Sequence, residues 1–212
     1  KKVKKCIENA VLATTSSNLQ LWEFYHITNK ELLIKLSKTC FNQPAASTSK
    51  QIIVVVARKD LWKKRANQNI SFFDSKRDKL SKKQYNLTRK YYSKAVPLVY
   101  KDFIGIFSYL KYLFANFLGF FRVMYRQLRS SDTRIVAHKS AALASQNFMI
   151  SMAGFGYDTC PMEGFDSLKL KRLLDLDKKS EINMVIGCGI RLQEGVYGER
   201  FRIPFDQVYF KR

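Results

Sequence analysis

Cysteine, histidine and acidic residues are scarce in this chain, and each scarcity removes a class of function. The four cysteines, Cys6, Cys40, Cys160 and Cys188, lie far apart and form neither a Cys-x-x-Cys pair nor a Cys/His cluster. Zinc ligation and a disulfide framework therefore both lack the required spacing, and no metal is expected. Reduced thiols in a cytoplasm fit this usage. His138 is one of two histidines and has no second ligand at metal spacing, so it reads as a structural residue. Uninterrupted apolar runs are scarce too. The opening KKVKKCIENAVLATTSSN has basic residues but no sustained apolar region, so it does not read as a signal peptide. Phe103–Phe121 approaches the length needed to cross a bilayer, but Lys111 sits near its middle. A central lysine costs roughly 2.5–3.5 kcal/mol on insertion scales, and Asn116 adds to that, which argues against a true span. Phe103, Phe107, Leu110, Phe114, Phe117 and Phe121 instead follow helical spacing. That spacing predicts burial against another surface, in the same chain or in a partner, and leaves peripheral membrane contact open.

The shortage of acids sets the charge. Lysine and arginine number 38 against 17 aspartates and glutamates, a formal charge of +21. Such an excess attracts phosphate-bearing ligands, nucleic acid or an anionic membrane, and charge alone does not choose among them. It is uneven: Arg58 to Lys94 holds thirteen basic residues against three aspartates. A solvated helical face is the plainest reading of that stretch.

With 212 residues and 46% hydrophobic content, the chain can bury one substantial core, so a single domain over 1–212 is expected. Residues 95–130 form an apolar and basic excursion from it. Val3, Ile7, Ala10 and Val11 mark a first helix to about Ala13. Its start at Lys1 looks like mid-element and suggests a missing upstream segment. A polar turn, a short strand at LWEFYHI and a helix at KELLIKLSKTCF follow, the last stopped by NQP. The β-branched run QIIVVVA is the clearest strand and predicts a sheet centre covered on both faces. A long helix is expected from Asp132 to Phe155, capped by Ser131 or Asp132 and closed by Gly154 and Gly156. Its Ala- and Ser-rich interior suits either dense packing or the approach of a flat ligand. YDTCPMEGFD then reads as a short loop joining two helices, followed by a helix at SLKLKRLLDLD and a strand at INMVIGCGI. Helices bracket separate strands without regular βαβ alternation, which favours an α+β sandwich over a doubly wound sheet.

Four short motifs, in order along the chain, carry a resemblance. TTSSNLQLWEF is similar to a Pro-Ser-Ser-x-Asn-x-Gln-Pro-Trp loop, and CFNQP places an asparagine after the second helix. GYDTCPMEGFD is similar to a Gly-x-x-x-x-Pro-x-Glu-Gly-Phe-Asp turn, and GERFRIP to a C-terminal basic pair before proline. Together they resemble the FMN-dependent nitroreductase family across essentially the whole chain. The resemblance implies an α+β sandwich whose central mixed β-sheet is flanked by helices, in a homodimer of domain-swapped type with two FMN sites at the interface. It also implies transfer of two electrons from NAD(P)H, the co-substrate, to a small-molecule acceptor such as a nitroaromatic or quinone, by a ping-pong mechanism in the cytoplasm. The alternative is a non-catalytic protein of this fold that binds an anionic membrane surface or nucleic acid through its basic patch. No specific nucleic acid is expected, and membrane contact is at most peripheral.

The same resemblance assigns residues. Flavin reduction places negative charge near N1 and O2 of the ring and needs a hydrogen-bond donor at N5. Pro161, Met162, Glu163 and Gly164 are implied to wall the ring, with the Glu163 backbone amide at N5 and glycine permitting close approach. Thr14, Thr15, Ser16 and Asn18 offer hydroxyls and an amide to ring carbonyls and ribityl oxygens, partly from the second subunit. Asn42 is implied to read the pyrimidine edge, although an asparagine at a helix end also serves as a cap. Arg200 and Arg202 alternate around Phe201, so an extended strand would turn both guanidinium groups to one side, suited to the FMN phosphate. No catalytic side chain beyond the flavin is implied. Three departures stand out: Thr14 and Leu21 replace the prolines of the first loop, Ala45 replaces a basic residue, and nothing at Lys1–Lys5 matches the family's Arg-x-Ser-x-Arg segment.

Overall fold

A computed structural model describes residues 1–212 apart from Ile104 and Tyr197. Four strands, β1 (Trp22–Ile27), β2 (Gln51–Ala57), β3 (Asp158–Met162) and β4 (Glu181–Gly189), form one sheet in the order β1-β2-β4-β3. Every pairing is antiparallel, so among the described residues the sheet is not mixed as expected. β2 lies inside it. Its side chains alternate between the faces, with Ile53, Val55 and Ala57 on one side and Ile52, Val54 and Val56 on the other, all buried. The unbroken apolar run QIIVVVA is thus explained as expected, by a sheet covered on both faces.

Helices α1 (Lys2–Ala10), α2 (Lys30–Thr39), α3 (Pro44–Ser47), α4 (Trp62–Asp74), α5 (Lys82–Lys90), α6 (Val96–Tyr100), α7 (Ile106–Leu118), α8 (Ser130–Gly154) and α9 (Ser167–Leu173) complete the fold. α8 lies on the first face, where Ala137, Ala141, Ala144 and Phe148 meet Ile53, Val55 and Ile186. Its small residues also admit Cys6 and Ala10 of α1, so dense packing accounts for its composition. α2 and α9 cover the second face through Leu33, Leu36 and Leu170. A Cβ on Gly187 in β4 would lie 2.8 Å from the Ala45 carbonyl oxygen and 2.6 Å from Ser49 Oγ. Glycine there is what lets α3 rest against the sheet.

Several boundaries differ from the sequence reading. α1 ends at Ala10, with Val11 already exposed. α8 starts at Ser130, and Asp132 stands in its first turn rather than at the cap: its carboxylate accepts from the Arg129 backbone N–H at 3.0 Å. The YDTCPMEGFD segment is a strand over Asp158–Met162, not a helix-to-helix loop. Its periodicity is hidden because β3 is an edge strand, the one place where Pro161 can sit without breaking a ladder. Phe103, Phe107, Leu110, Phe114, Phe117 and Phe121 do share a helical face where they lie in α7, but none is buried in this chain. Residues 190–212 are exposed wherever they are described, and Arg200 and Arg202 belong to no strand. Among the described residues, 192–212 make no hydrogen bond or ion pair with the rest of the chain.

The basic stretch is more than a solvated face. Arg58 forks onto Glu23 at 2.6 Å and Asp60 at 2.8 Å, joining β1 to the segment after β2. The Asp60 hydrogen bonds, against a desolvation that opposes them, raise its already high pKa. Lys59 is half-buried and donates to the Ser130 carbonyl and hydroxyl at 2.9 and 2.7 Å. Burial lowers the pKa of this amine.

Candidate functional site

α2 terminates in two consecutive left-handed residues, Phe41 (φ 56°) and Asn42 (φ 50°). The Asn42 N–H returns to the Ser37 carbonyl at 2.9 Å, the long-range bond of a helix stop. The backbone of Asn42 therefore does cap the helix. Its side chain is nevertheless exposed and, among the described residues, has no hydrogen-bond partner, so the amide is available. The next residue ties this corner to the second loop. Gln43 Nε2 donates to the Gly164 carbonyl at 2.7 Å and to the Cys40 carbonyl at 3.0 Å. Asp166 N–H donates to the Thr39 carbonyl at 2.7 Å, and its carboxylate caps α9 by accepting from Lys169 N–H at 3.0 Å. That backbone hydrogen bond, opposed by some desolvation and helped by Lys169, holds the Asp166 carboxyl below its ordinary pKa.

Between these two ties, Glu163 and Gly164 are exposed, and among the described residues neither backbone N–H has a partner. Unpaired amides on a braced loop suit an electron-rich ring edge. A Cβ on Gly164 would lie 3.0 Å from Gln43 Nε2, so the close approach that glycine allows is also used inside the protein. Pro161 is exposed at the end of β3. Met162 is buried in the second cluster, so its side chain serves the core rather than the surface.

The first loop is built separately. Ser17, Asn18 and Gln20 all have positive φ, at 55°, 48° and 48°. Such backbone is costly for residues other than glycine and persists only when its surroundings fix it. Asn69 of α4 supplies much of that: its Nδ2 donates to the Asn18 carbonyl at 3.0 Å, and its Oδ1 accepts from Asn18 Nδ2 at 2.9 Å. Tyr92 OH donates to the Ser17 carbonyl at 3.1 Å, and Ser17 Oγ meets Tyr91 OH at 2.6 Å. Burial raises the Tyr92 pKa, keeping it a donor. Thr15 Oγ1 accepts from Gln20 N–H at 3.2 Å, while Thr14 and Ser16 are exposed. No sequence motif marks Gln43, Asn69, Tyr91 or Tyr92 as part of this site. Asn69 lies in a basic helical stretch, and spacing gives no reason to connect it to residue 18.

The two loops do not meet within one chain. The first feeds β1, and the second leaves β3, the opposite edge of the sheet. Three strand spacings separate those edges, about 14 Å at about 4.8 Å each. Arg200 and Arg202 join neither loop, and Arg202 Nη1 donates only to the Phe201 carbonyl at 2.7 Å.

An antiparallel sheet between two helical layers, with braced loops offering free amides and hydroxyls at its edges, defines an α+β domain suited to a planar, polar cofactor. The nitroreductase family model matches residues 1–190, and the chain belongs to that family and is an oxidoreductase. It is 27% identical over 201 residues to Protein DrgA of Synechocystis sp., covering 95% of this chain and 78% of DrgA. It is 27% identical over 199 residues to Staphylococcus epidermidis SERP2086, provisionally named an NAD(P)H nitroreductase, covering 91% of this chain and 78% of that one. A structure from Exiguobacterium sibiricum, solved in complex with FMN, superposes with a TM-score of 0.67 at 20% identity, over 99% of this chain and 85% of that one.

Proposed function

We propose that the protein is a homodimeric FMN-dependent oxidoreductase that passes two electrons from NAD(P)H to nitroaromatic, quinone or similar acceptors by a ping-pong scheme. The observation that carries this reading is the pair of unpartnered amides at Glu163 and Gly164, braced by Gln43 and Asp166. Family membership, the FMN complex of the Exiguobacterium protein and the NAD(P)H in the Staphylococcus name support it. Bound FMN would supply a two-electron carrier, so that donor and acceptor use one place in turn. The Glu163 amide would donate to the ring edge, and Gly164 and Pro161 would leave room for its face. The free carboxamide of Asn42, adjacent to the Gln43 tie to Gly164, would read the pyrimidine edge. Thr14, Thr15, Ser16 and Asn18 would face ring carbonyls and ribityl oxygens, and Arg200 and Arg202 the phosphate. No side chain in this set has to act as nucleophile or general base.

The placement of the two loops at opposite edges of the sheet supports a dimer. In the dimer proposed here, one flavin would take the first loop from one subunit and the second loop from its partner. The exposed Phe201, Phe205 and Phe210 of the C-terminal segment provide apolar surface for that association. Four free cysteines suit a reducing cytoplasm, and no helix among the described residues is long and apolar enough to cross a membrane.

An absorbance scan of the purified protein, followed by NAD(P)H addition under nitrogen, tests the proposal. The expected result is a flavin spectrum that bleaches and then returns when menadione or nitrofurazone is added. A colourless monomer with no affinity for added FMN would overturn it.

A further inference from the structure

α7 is oriented inside out. The residues it turns toward the protein are mostly small or polar: Ser108 and Ala115 are buried, and Lys111, Tyr112, Asn116 and Leu118 are partly so. This polar side is its anchor. Lys111 Nζ donates to the Leu98, Val99 and Lys101 carbonyls at 2.9, 3.3 and 2.8 Å, closing the open end of α6. Asp102 accepts from the Phe103 and Ser108 N–H groups, both at 2.9 Å, and fixes the start of the helix. Burial pulls the Lys111 pKa down, and the nearby Asp102 carboxylate offsets part of that. Ile106, Phe107, Leu110, Leu113, Phe114 and Phe117 occupy the opposite arc, with Phe114 63% and Phe117 60% exposed. Seating those residues on the protein would require breaking the Lys111 and Asp102 bonds, so the outward apolar face is a consequence of how the helix is held.

What such a face fits is decided by the charge around it. From residue 101 to residue 129 the chain carries Lys101, Lys111, Arg122, Arg126 and Arg129 against a single acid, Asp102. Lys111 faces inward and Arg129 pairs with Asp132, so among the described residues Lys101, Arg122 and Arg126 are the cations beside the arc that face no acid. Arg126 Nη2 holds the turn after α7 by donating to the Gly119 carbonyl at 2.7 Å. Beyond it, Phe120 and Phe121 are exposed. An aromatic arc flanked by basic residues, on a chain of +21, complements an anionic surface with an apolar interior. The same face of a second copy would bring like charges together. A helix of 13 residues is about 20 Å long, too short to cross the hydrocarbon core and suited to lying in its surface. We propose that α7 seats this protein on an anionic lipid bilayer.

Flotation of the full-length, FMN-supplemented protein with vesicles tests this. Phosphatidylcholine vesicles containing phosphatidylglycerol should carry the protein, and pure phosphatidylcholine vesicles should carry at least about tenfold less. F114E/F117E should reduce flotation at least about tenfold while leaving the melting temperature and sedimentation coefficient unchanged. F114W should show a blue-shifted emission quenched by brominated lipid, a readout that survives if the double variant misfolds. Wild-type protein that stays with the aqueous phase, or bound F114W whose emission brominated lipid leaves unquenched, would overturn the proposal. So would a dimer that falls apart in F114E/F117E, which would make a second copy the true occupant of the face.

Discussion

Gln43 and Gly164, 121 residues apart in the chain, are joined by a side-chain-to-carbonyl hydrogen bond of 2.7 Å. It fixes the end of α2 against the loop whose amides are free, and so sets Asn42 and Glu163 relative to one another. Because the bond is exposed, its net worth to folding is about 0.5–1.5 kcal/mol. Q43A should therefore lower stability only slightly in urea titration but weaken FMN binding about tenfold or more, since the two groups proposed to face the flavin lose their common brace. Equal FMN dissociation constants for Q43A and wild type would remove Gln43 from the account.

Glu163 and Gly164 separate backbone from side-chain chemistry. E163Q keeps the amide and nearly the same volume, so FMN affinity and the anaerobic rate of NAD(P)H bleaching should stay within about threefold of wild type. G164V should weaken FMN severely. Its Cβ would sit 3.0 Å from Gln43 Nε2, and a β-branched side chain adds further bulk where the ring is proposed to approach. A large loss of bleaching rate in E163Q with FMN still bound would assign the chemistry to the carboxylate.

How far the sequence reveals this arrangement depends on range. QIIVVVA announces a doubly covered strand because burial on both faces leaves a continuous apolar run, and β2 is that strand. The family loops are legible because left-handed backbone and close approach restrict residue choice locally. β3 is illegible, since an edge strand bearing proline has no periodic signature. The outward face of α7 is equally hidden: helical spacing identifies an apolar arc, but only the Lys111 and Asp102 bonds show which way it points. The pairing of Asn18 with Asn69 spans 51 residues, and composition carries no trace of it.

Asn69 braces the first loop from beneath. It is buried and makes three contacts, including donation to the Arg65 carbonyl at 2.9 Å. N69A leaves Asn18 Nδ2 without its acceptor and takes the shorter of two donors from the Asn18 carbonyl, which keeps only Gln20 Nε2 at 3.5 Å, while Ser17, Asn18 and Gln20 still need positive φ. A stability loss of about 1–3 kcal/mol is expected in urea unfolding, together with weaker FMN binding. N69D retains the acceptor for Asn18 Nδ2 and should recover part of both.

Arg200 and Arg202 are exposed, and among the described residues neither forms an ion pair. If they hold the FMN phosphate, the double variant R200A/R202A should weaken FMN by at least about 100-fold, each charge-assisted contact being worth about 1.5–3 kcal/mol. Riboflavin, which lacks the phosphate, should bind both proteins alike. The same loss for both ligands, measured by quenching of flavin fluorescence, would exclude a phosphate role.

Acid should destabilise the fold in a defined direction. The Arg129 side chain, first of all, then the Arg129 backbone N–H, lower the Asp132 pKa from its ordinary 3.8, although burial partly opposes them. A carboxylate whose folded pKa is depressed stabilises the native state above the unfolded value, and that contribution disappears as pH falls through the folded value. Asp102 is also lowered. Its burial acts in the opposite sense and is outweighed by the Ser108 and Phe103 N–H groups. Stability measured by urea midpoint should thus be flat from neutral pH to about pH 5 and fall steeply below about pH 4. D132N removes one of these groups, so it should be less stable than wild type at pH 7 and lose less on acidification. Parallel midpoint curves for D132N and wild type across that window would show that the start of α8 does not govern the acid transition.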